Sequence, residues 1–388
     1  MLSPQTRKRY PYKIYFIIVL AIALMGLLDS IYLAISHYRN YADLTYQSFC
    51  AISRSFNCDT VSQSPYAILF GVPVPVWGIM GYALFLFLQI LFWFQNAQHK
   101  RGWALLLLLS LTFSFYSLIL AFISSYYIHS YCIMCILSYA VNLALLFYSW
   151  IICRRFGDES FISAVGHDFR YLIDFWKISL PSMFFFIVVS AVLMGFFPPY
   201  WQLKPPPLSP DVTTGATEDG YPWIGAENPE LTIMEFSDYQ CFQCRKMHYF
   251  LRRLISAHST EIRLIHRHFP MDDRYNPLVR TQFHVGSGKM AIISLYAQFK
   301  NQFWKVSDFL FNIGGEKQDF NTEAISKLMN VSSGELVAAM KSKVLRLKLK
   351  HDIAMGLEYG ISGTPSFVID NKVYLGQIPA DLLEKYLQ

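Results

Sequence analysis

Six of the seven cysteines in this 388-residue chain fall close together in twos: Cys50 and Cys58, Cys132 and Cys135, Cys241 and Cys244. Two of these are Cys-x-x-Cys, in "CIMC" (132–135) and in "DYQCFQCRKMH" (238–248). The spacing suits three chemistries: a soft-metal site, a structural staple, or exchange of a disulfide with another protein. For Cys50 and Cys58 the residues alone leave a staple and a redox pair equally open. In "CIMC" the two cysteines share one helix face, and cross-linking a single turn gains little, so a reactive or metal-binding role is favoured there. Cys153 is the odd one and reads as a packing residue.

The elements that must position these sulfurs are of two kinds. Hydrophobic residues make up 54% of the chain and charged ones 15%, against about 25% charged in ordinary soluble domains. The shortage lies in residues 14–200, whereas 218–388 read as a soluble domain. Five apolar runs, at 14–35, 76–94, 103–123, 132–152 and 178–197, are long enough for a hydrocarbon core about 30 Å thick. The first is too long for a removed leader and lacks a small-residue cleavage site, so it is expected to stay as an anchor. Asp29 within it is costly in lipid, yet lies near enough to the outer end to reach headgroups.

Lys and Arg sort to one side of these spans. Arg7, Lys8, Arg9 and Lys13 precede the first, Lys100 and Arg101 join the second to the third, and Arg154, Arg155, Arg170 and Lys177 join the fourth to the fifth. The other side carries only Arg39 and Arg54. The amino terminus is therefore expected to be cytoplasmic and everything after the fifth span outside. This places all three cysteine pairs in an oxidising compartment and Cys153 alone in a reducing one. The net charge of +6 is modest and concentrated beside apolar segments, an orientation signal and not a nucleic-acid footprint.

Residues 200–222 are rich in Pro, Gly, Ser and Thr and read as a semi-extended linker, with a reach of roughly 65 Å. An alternating run, "LTIMEFSDYQ", then predicts a strand, and "CFQCRKMHYFLRRLISAH" a helix opened by the cysteines. A helix start stabilises a thiolate, which makes Cys241 the exposed nucleophile and Cys244, one turn in, the resolving thiol. Arg245, Lys246 and His248 either add positive potential or form a solvated face.

With "YGISGTPSFVIDNKVYLGQIP" (359–379) downstream, this half resembles thioredoxin-fold oxidoreductases of the DsbA type. The resemblance rests on Cys241-Phe-Gln-Cys244 after a strand and Thr364-Pro365 before a later one. It implies a cis Pro365 facing the cysteines, a buried proton-handling acid at Glu235, and a helical insertion over residues 278–350. Residues 57–82 and 131–142 resemble the bacterial branch of the vitamin K epoxide reductase family. The match includes Cys58-Asp59, Ser64, Gly71-Val-Pro73, Cys132-Ile-Met-Cys135 and Tyr139. That resemblance implies a bundle holding a quinone (ubiquinone or menaquinone) near Cys135, with Tyr139 one turn further along the helix and Ser64 close by; Trp77 is a further candidate for the quinone wall. It makes Cys132 and Cys135 the quinone-facing pair and Cys50 and Cys58 a shuttle.

The expected fold is a membrane all-α four-helix bundle (10–155), then a fifth transmembrane helix with a Pro-rich linker (156–217). An α/β thioredoxin-fold domain with a helical insertion follows (218–388). The expected function is a protein-disulfide oxidoreductase of a bacterial inner membrane. Electrons pass from reduced exported client proteins through Cys241/Cys244, Cys50/Cys58 and Cys132/Cys135 to the quinone pool. Two alternatives remain: an outward-directed reductase or isomerase, for which Cys153 offers only a lone cytoplasmic thiol, and a membrane metal carrier using the cysteines and His248.

Overall fold

A computed structural model describes residues 11–43, 46, 48–52, 56–93, 103–156, 160–207, 212–315 and 322–386. Arg7, Lys8, Arg9, Arg54, Lys100 and Arg101, used above for orientation, lie outside these. The chain divides into two compact units, Met1–Trp201 and Gln202–Gln388.

In the first unit the apolar runs form helices. They are α1 (Tyr12–Ala42), a short α2 (Cys58–Ser62), α3 (Val74–Trp93), α4 (Trp103–Ile123) and α5 (Ile133–Phe156), then α6 (Phe161–Asp174) and α7 (Trp176–Phe196). Five of them (α1, α3, α4, α5 and α7) are long and apolar enough to cross a membrane. Before α3, β1 (Ile68–Leu69) and β2 (Val72–Pro73) pair as a hairpin. Phe70 and Gly71 at its tip both take positive φ, the geometry of a two-residue turn that glycine accepts at no cost.

Helices α1, α3, α4 and α5 form the expected four-helix bundle, with Val19, Ala23, Phe85, Leu106 and Leu145 buried at its centre. Gly26 lets α1 approach α3: a Cβ there would lie 2.5 Å from the Tyr82 ring. The fifth span, α7, buries none of its residues, so it stands outside this core. The chain beyond it returns to α1, where Tyr200 Oη and His37 Nδ1 lie 2.7 Å apart.

Two elements correct the reading of residues 156–217 as a single span and linker. Helix α6 is amphipathic, and its buried Asp168 accepts hydrogen bonds from the Ala104 and Leu105 amides at the start of α4, both 3.1 Å. A carboxylate from another helix thus satisfies amides that α4 cannot pair itself. Further on, β3 (Thr214–Ala216) lies inside the expected linker and pairs with β4 (Pro222–Gly225).

The second unit continues with β5 (Leu231–Ser237), α8 (Phe242–Ala257), β6 (Ile262–His268), α9 (Ser287–Phe299) and α10 (Phe303–Gly315). After these come α11 (Thr322–Met329), α12 (Ser333–Lys341), α13 (Lys343–Glu358), β7 (Ser366–Ile369), β8 (Lys372–Leu375) and α14 (Ala380–Tyr386). The strands make one sheet in the order β3-β4-β6-β5-β7-β8, with β5 and β6 parallel and the other pairs antiparallel. Helices α9–α13 are the helical insertion, beginning at Ser287 and not at residue 278, because 269–286 form a loop.

A buried charge cluster fixes α8 to the sheet. Glu235 Oε2 on β5 lies 3.5 Å from His248 Nδ1 on α8 and 3.3 Å from His266 Nδ1 on β6. The other nitrogen of His248 lies 3.2 Å from Asp308 Oδ1 on α10, which also takes Arg252 Nη1 at 2.6 Å. Burial opposes the charge on each partner, yet the hydrogen bonds of the two histidines outweigh it and bring Glu235 down to about 2. Burial likewise opposes a charged His248, but Asp308 and Glu235 raise it. At His266 burial wins and the ring stays neutral. Two anions and two cations then balance within one dry pocket.

Glu235, with its carboxyl depressed from 4.5 to about 2, stabilises the fold above about pH 4.5 and loses this as pH falls toward 2. His248, raised above 6.5, stabilises below about 6.5 and loses this as pH rises through its folded value. Both contributions are full between these limits. His248→Gln is therefore expected to cost about 3–5 kcal/mol near pH 5.5, the cost of stranding a buried charge, and clearly less at pH 9. Chemical unfolding of the full chain at the two pH values checks this; an equal loss at both contradicts it.

Candidate active site

In the second unit the reactive geometry begins at Asp238, just after β5. Its carbonyl accepts the Cys241 amide at 3.1 Å and its Oδ1 accepts the Gln240 amide at 2.7 Å, turning the chain into α8. Cys241 is the residue that caps this helix, and its Sγ receives the Cys244 amide at 3.2 Å. Cys241 keeps 8% exposure whereas Cys244 has none. Burial opposes a Cys241 thiolate, but contacts with Cys244 and the charge of His284 outweigh it, so the thiol sits below its ordinary value. Burial and the neighbouring Cys241 sulfur push Cys244 well up. One sulfur can be attacked and can leave; the other is sheltered.

Thr364-Pro365 meets this pair across the sheet. The peptide between them is cis, and the Thr364 carbonyl lies 3.5 Å from Cys241 Sγ. Their place follows from β7, which pairs antiparallel with β5.

The surroundings of α8 differ from expectation. Arg245, Lys246 and His248 are buried, at 4%, 3% and 0% exposure, and do not form a solvated face. The helix is covered by the sheet and by α10, so His248 turns inward to Glu235 and Asp308. Glu235 itself meets His248 and His266. These three bring metal-type ligand atoms within 4.8 Å of one another, but in the ion-paired state both facing nitrogens donate protons to the carboxylate and offer no lone pair to a cation. Asp238 and His284, which stand beside Cys241, were missed. Asp238 had a local signal, an Asp at the strand-to-helix turn; His284, 46 residues away, had none.

The first unit carries the other two pairs. Cys50 and Cys58 are joined as a disulfide with Cα atoms 5.6 Å apart, while Cys132 and Cys135 are free thiols. Asn57 sets their meeting. Its side chain caps α2 by accepting the Asp59 and Thr60 amides at 2.9 and 3.1 Å, and its own amide donates to the Tyr131 carbonyl at 3.0 Å. Residue 57 pairing with 131 brings Cys58 to Cys132, and Cys50, Cys58 and Cys132 form one buried cluster against which Cys135 packs. The Cys135 amide points at Cys132 Sγ, 3.1 Å away, at the start of α5.

Below this cluster lies a cavity of about 610 Å³, a size common for small-molecule sites. Cys135, Tyr139, Ser64 and Trp77 all line it. Trp77 spends its Nε1–H on the Leu69 carbonyl at 3.0 Å, and Ser64 its hydroxyl on the Val61 carbonyl at 2.8 Å. Both therefore shape the wall and present little free polarity. Its polar groups include Tyr139 and a network in which Tyr82 Oη donates to Asn142 at 2.6 Å and Asn142 donates to Ser117 Oγ at 2.8 Å. Wide apolar walls with a few hydroxyl and amide groups fit a flat ring bearing carbonyls. Asp29 does not reach for headgroups: it is 6% exposed and accepts from Ser138, one turn along α5 from Cys135, while its Oδ1 has no hydrogen-bond partner among the described residues. Cys153 packs against the bundle core, as expected.

Comparison with known proteins follows the same division. Residues 17–150 match the vitamin K epoxide reductase family and residues 217–388 a thioredoxin family. No curated protein matches the chain. Solved structures similar to the second unit include a thioredoxin-like oxidoreductase from Silicibacter pomeroyi DSS-3, 22% identical over 43% of this chain and 90% of that one, TM-score 0.36. Another is DsbA2 of Pseudomonas aeruginosa, 22% identical over 42% and 91%, TM-score 0.33. A third is alpha-DsbA1 of Wolbachia pipientis, 19% identical over 46% and 89%, TM-score 0.33. The chain is a thiol–disulfide oxidoreductase in which residues 17–150, within a unit carrying five helices long and apolar enough to cross a membrane, form a vitamin K epoxide reductase family domain and residues 217–388 a thioredoxin-like domain.

Proposed function

We propose that this oxidoreductase makes disulfides in exported proteins and discharges the electrons to a membrane quinone. The observation that carries the reading is the burial of Cys58 against Cys132 directly above the apolar cavity that Cys135 lines. Such an arrangement serves electron transfer from an outer disulfide to a lipid-soluble acceptor; a structural staple has no need of a free dithiol beside it.

A client thiolate attacks Cys241 of the oxidised Cys241–Cys244 pair, and Cys244 leaves as thiolate. The second client thiol then displaces Cys241, so the client gains a disulfide and the pair gains two electrons and two protons. The reduced pair is reoxidised by the Cys50–Cys58 disulfide, whose thiols are in turn reoxidised by Cys132–Cys135. Each exchange conserves electrons, and its direction follows the potentials of successive pairs. Cys50 is fully buried, so its meeting with Cys241 requires the segment around it to open. A quinone bound in the cavity would supply the two-electron, two-proton acceptor that restores the Cys132–Cys135 disulfide. Cys135, Tyr139, Ser64 and Trp77 would hold it, and Asp29, through Ser138, would take up a proton released at Cys135. Joining both units in one chain gives each a local concentration on the order of millimolar for the other. The outer sides of the spans and the second unit are read as facing the periplasm of a bacterial inner membrane.

Purified full-length protein given a reduced client peptide should bleach quinone absorbance in a one-to-one ratio with client disulfides formed; disulfides formed without quinone reduction contradict the reading. Cys135→Ala should abolish quinone reduction. Cys241→Ala should abolish client oxidation and retain turnover with a small dithiol able to reach Cys50. Full client oxidation in either variant removes that cysteine from the route. Asp29→Asn should slow quinone reduction about 100-fold, the usual contribution of a positioned proton-transfer group, with client exchange at Cys241 unchanged. An unaltered rate leaves Asp29 without a part in the chemistry.

A further inference from the structure

The two residues between Cys241 and Cys244 are Phe242 and Gln243, so the motif brings no cation of its own. The next cation, Arg245, is turned to the Asn312 carbonyl, 3.3 Å away. A thiolate that must form and leave at Cys241 therefore needs charge from elsewhere in the fold.

The loop between β6 and α9 supplies it. His284 Nδ1 lies 3.0 Å from Asp238 Oδ2, the same Asp238 whose carbonyl accepts the Cys241 amide. Asp238 is 1% exposed, and its carboxylate also accepts from the Ser287 hydroxyl at 3.0 Å and from the Met271 amide. The backbone of His284 is pinned on both sides, its amide on the Met271 carbonyl at 3.2 Å and its carbonyl receiving the Ser287 amide at 3.1 Å. Gln240, next to Cys241, ties the two loops directly by donating Nε2–H to the Val285 carbonyl at 3.0 Å. Phe283 stacks on the imidazole with ring centroids 4.0 Å apart, a face that favours the protonated ring. Around His284 stand Asp238 from the turn before α8, Asp272 capping the Gly286 amide at 2.9 Å, and Cys241 at the head of α8.

We propose that His284, oriented by Asp238, is the positioning residue whose positive charge stabilises the Cys241 thiolate from outside the Cys-x-x-Cys motif. Asp238 alone would act against that thiolate, since its buried negative charge stands on the same turn; the protonated imidazole cancels it and leaves the helix-start amide of Cys244 to act unopposed. The charge of His284 is among the interactions that lower the Cys241 thiol. A better leaving thiolate at Cys241 favours the reduced form of the pair, which suits a domain that takes electrons from client thiols. The inference rests on Cys241 as the exchanging sulfur and is independent of the quinone.

The test is the rate at which iodoacetamide alkylates Cys241 in the reduced full-length protein from pH 3 to pH 9, read by mass spectrometry of the Cys241 peptide. His284→Gln is expected to slow alkylation at pH 5 by about tenfold, the loss of thiolate for a shift of one pKa unit. The difference should close as the pH rises toward 9 and the thiol ionises in both proteins. His284→Arg, which keeps a cation, should restore the low-pH rate. In an Asp238→Asn background the His284→Gln effect should shrink, because the ring is no longer held. An unchanged low-pH limb in His284→Gln, or an equal loss in the Gln and Arg variants, overturns the proposal.

Discussion

One interaction recurs at both Cys-x-x-Cys motifs: the amide of the second cysteine points at the sulfur of the first, at 3.2 Å for Cys244 on Cys241 and 3.1 Å for Cys135 on Cys132. Each pair therefore starts a helix in the same manner, with the leading sulfur in the position of a capping side chain. The amides of a first helical turn have no partner in their own helix, so an anionic sulfur there satisfies a donor and gains from the helix dipole at once. In the thioredoxin-like unit the trailing Cys244 is shielded. In the membrane unit the leading Cys132 is buried against Cys58, and the trailing Cys135 is half-buried on the cavity wall. Directionality in thiol exchange begins with this difference, and the rest of each unit serves to present the leading sulfur to its partner.

The two units meet that demand by different means. In the thioredoxin-like unit, charge is arranged in compensating sets: Asp238 with His284 beside the leading sulfur, and Glu235, His248, Asp308 and Arg252 beneath the helix. The second set anchors α8 to two strands and to α10, so that Cys241 keeps its place opposite Thr364. In the membrane unit the leading sulfur is placed by backbone pairing, Asn57 with Tyr131, which carries a loop cysteine to the start of α5. Few charges are needed where a disulfide and a dithiol are already packed together, and Asp29, a buried carboxylate near Cys135, stands out for that reason.

Much of this was legible in the chain. Long apolar runs gave the spans, because hydropathy over 20 residues is a strong and local signal. The strand-to-helix step at Cys241 and the turn at Thr364-Pro365 could be read for the same reason. Helix α6 was lost in a stretch treated as span plus linker, since a short amphipathic helix looks like neither. The strand β3 was hidden by its Pro- and Gly-rich neighbours, and its pairing with β4 is a tertiary choice. The burial of Arg245, Lys246 and His248 depends on α10 closing over α8, and the union of Asp238 with His284 depends on a loop 46 residues away. Asp29 could be suspected from its cost in lipid, but only the packing of α1 on α5 shows that the Ser138 hydroxyl donates to it.

In the proposed route, electrons cross from the loop cysteines to the α5 pair through Cys58 and Cys132, which lie in one buried cluster. The most direct measurement is the intermediate of that step. In full-length protein carrying Cys50→Ala and Cys135→Ala, mapping of disulfide-linked peptides without reduction should find Cys58 joined to Cys132 in most molecules. Failure of that bond to form, with Cys50 joined to Cys132 instead in a Cys58→Ala, Cys135→Ala protein, would contradict the account.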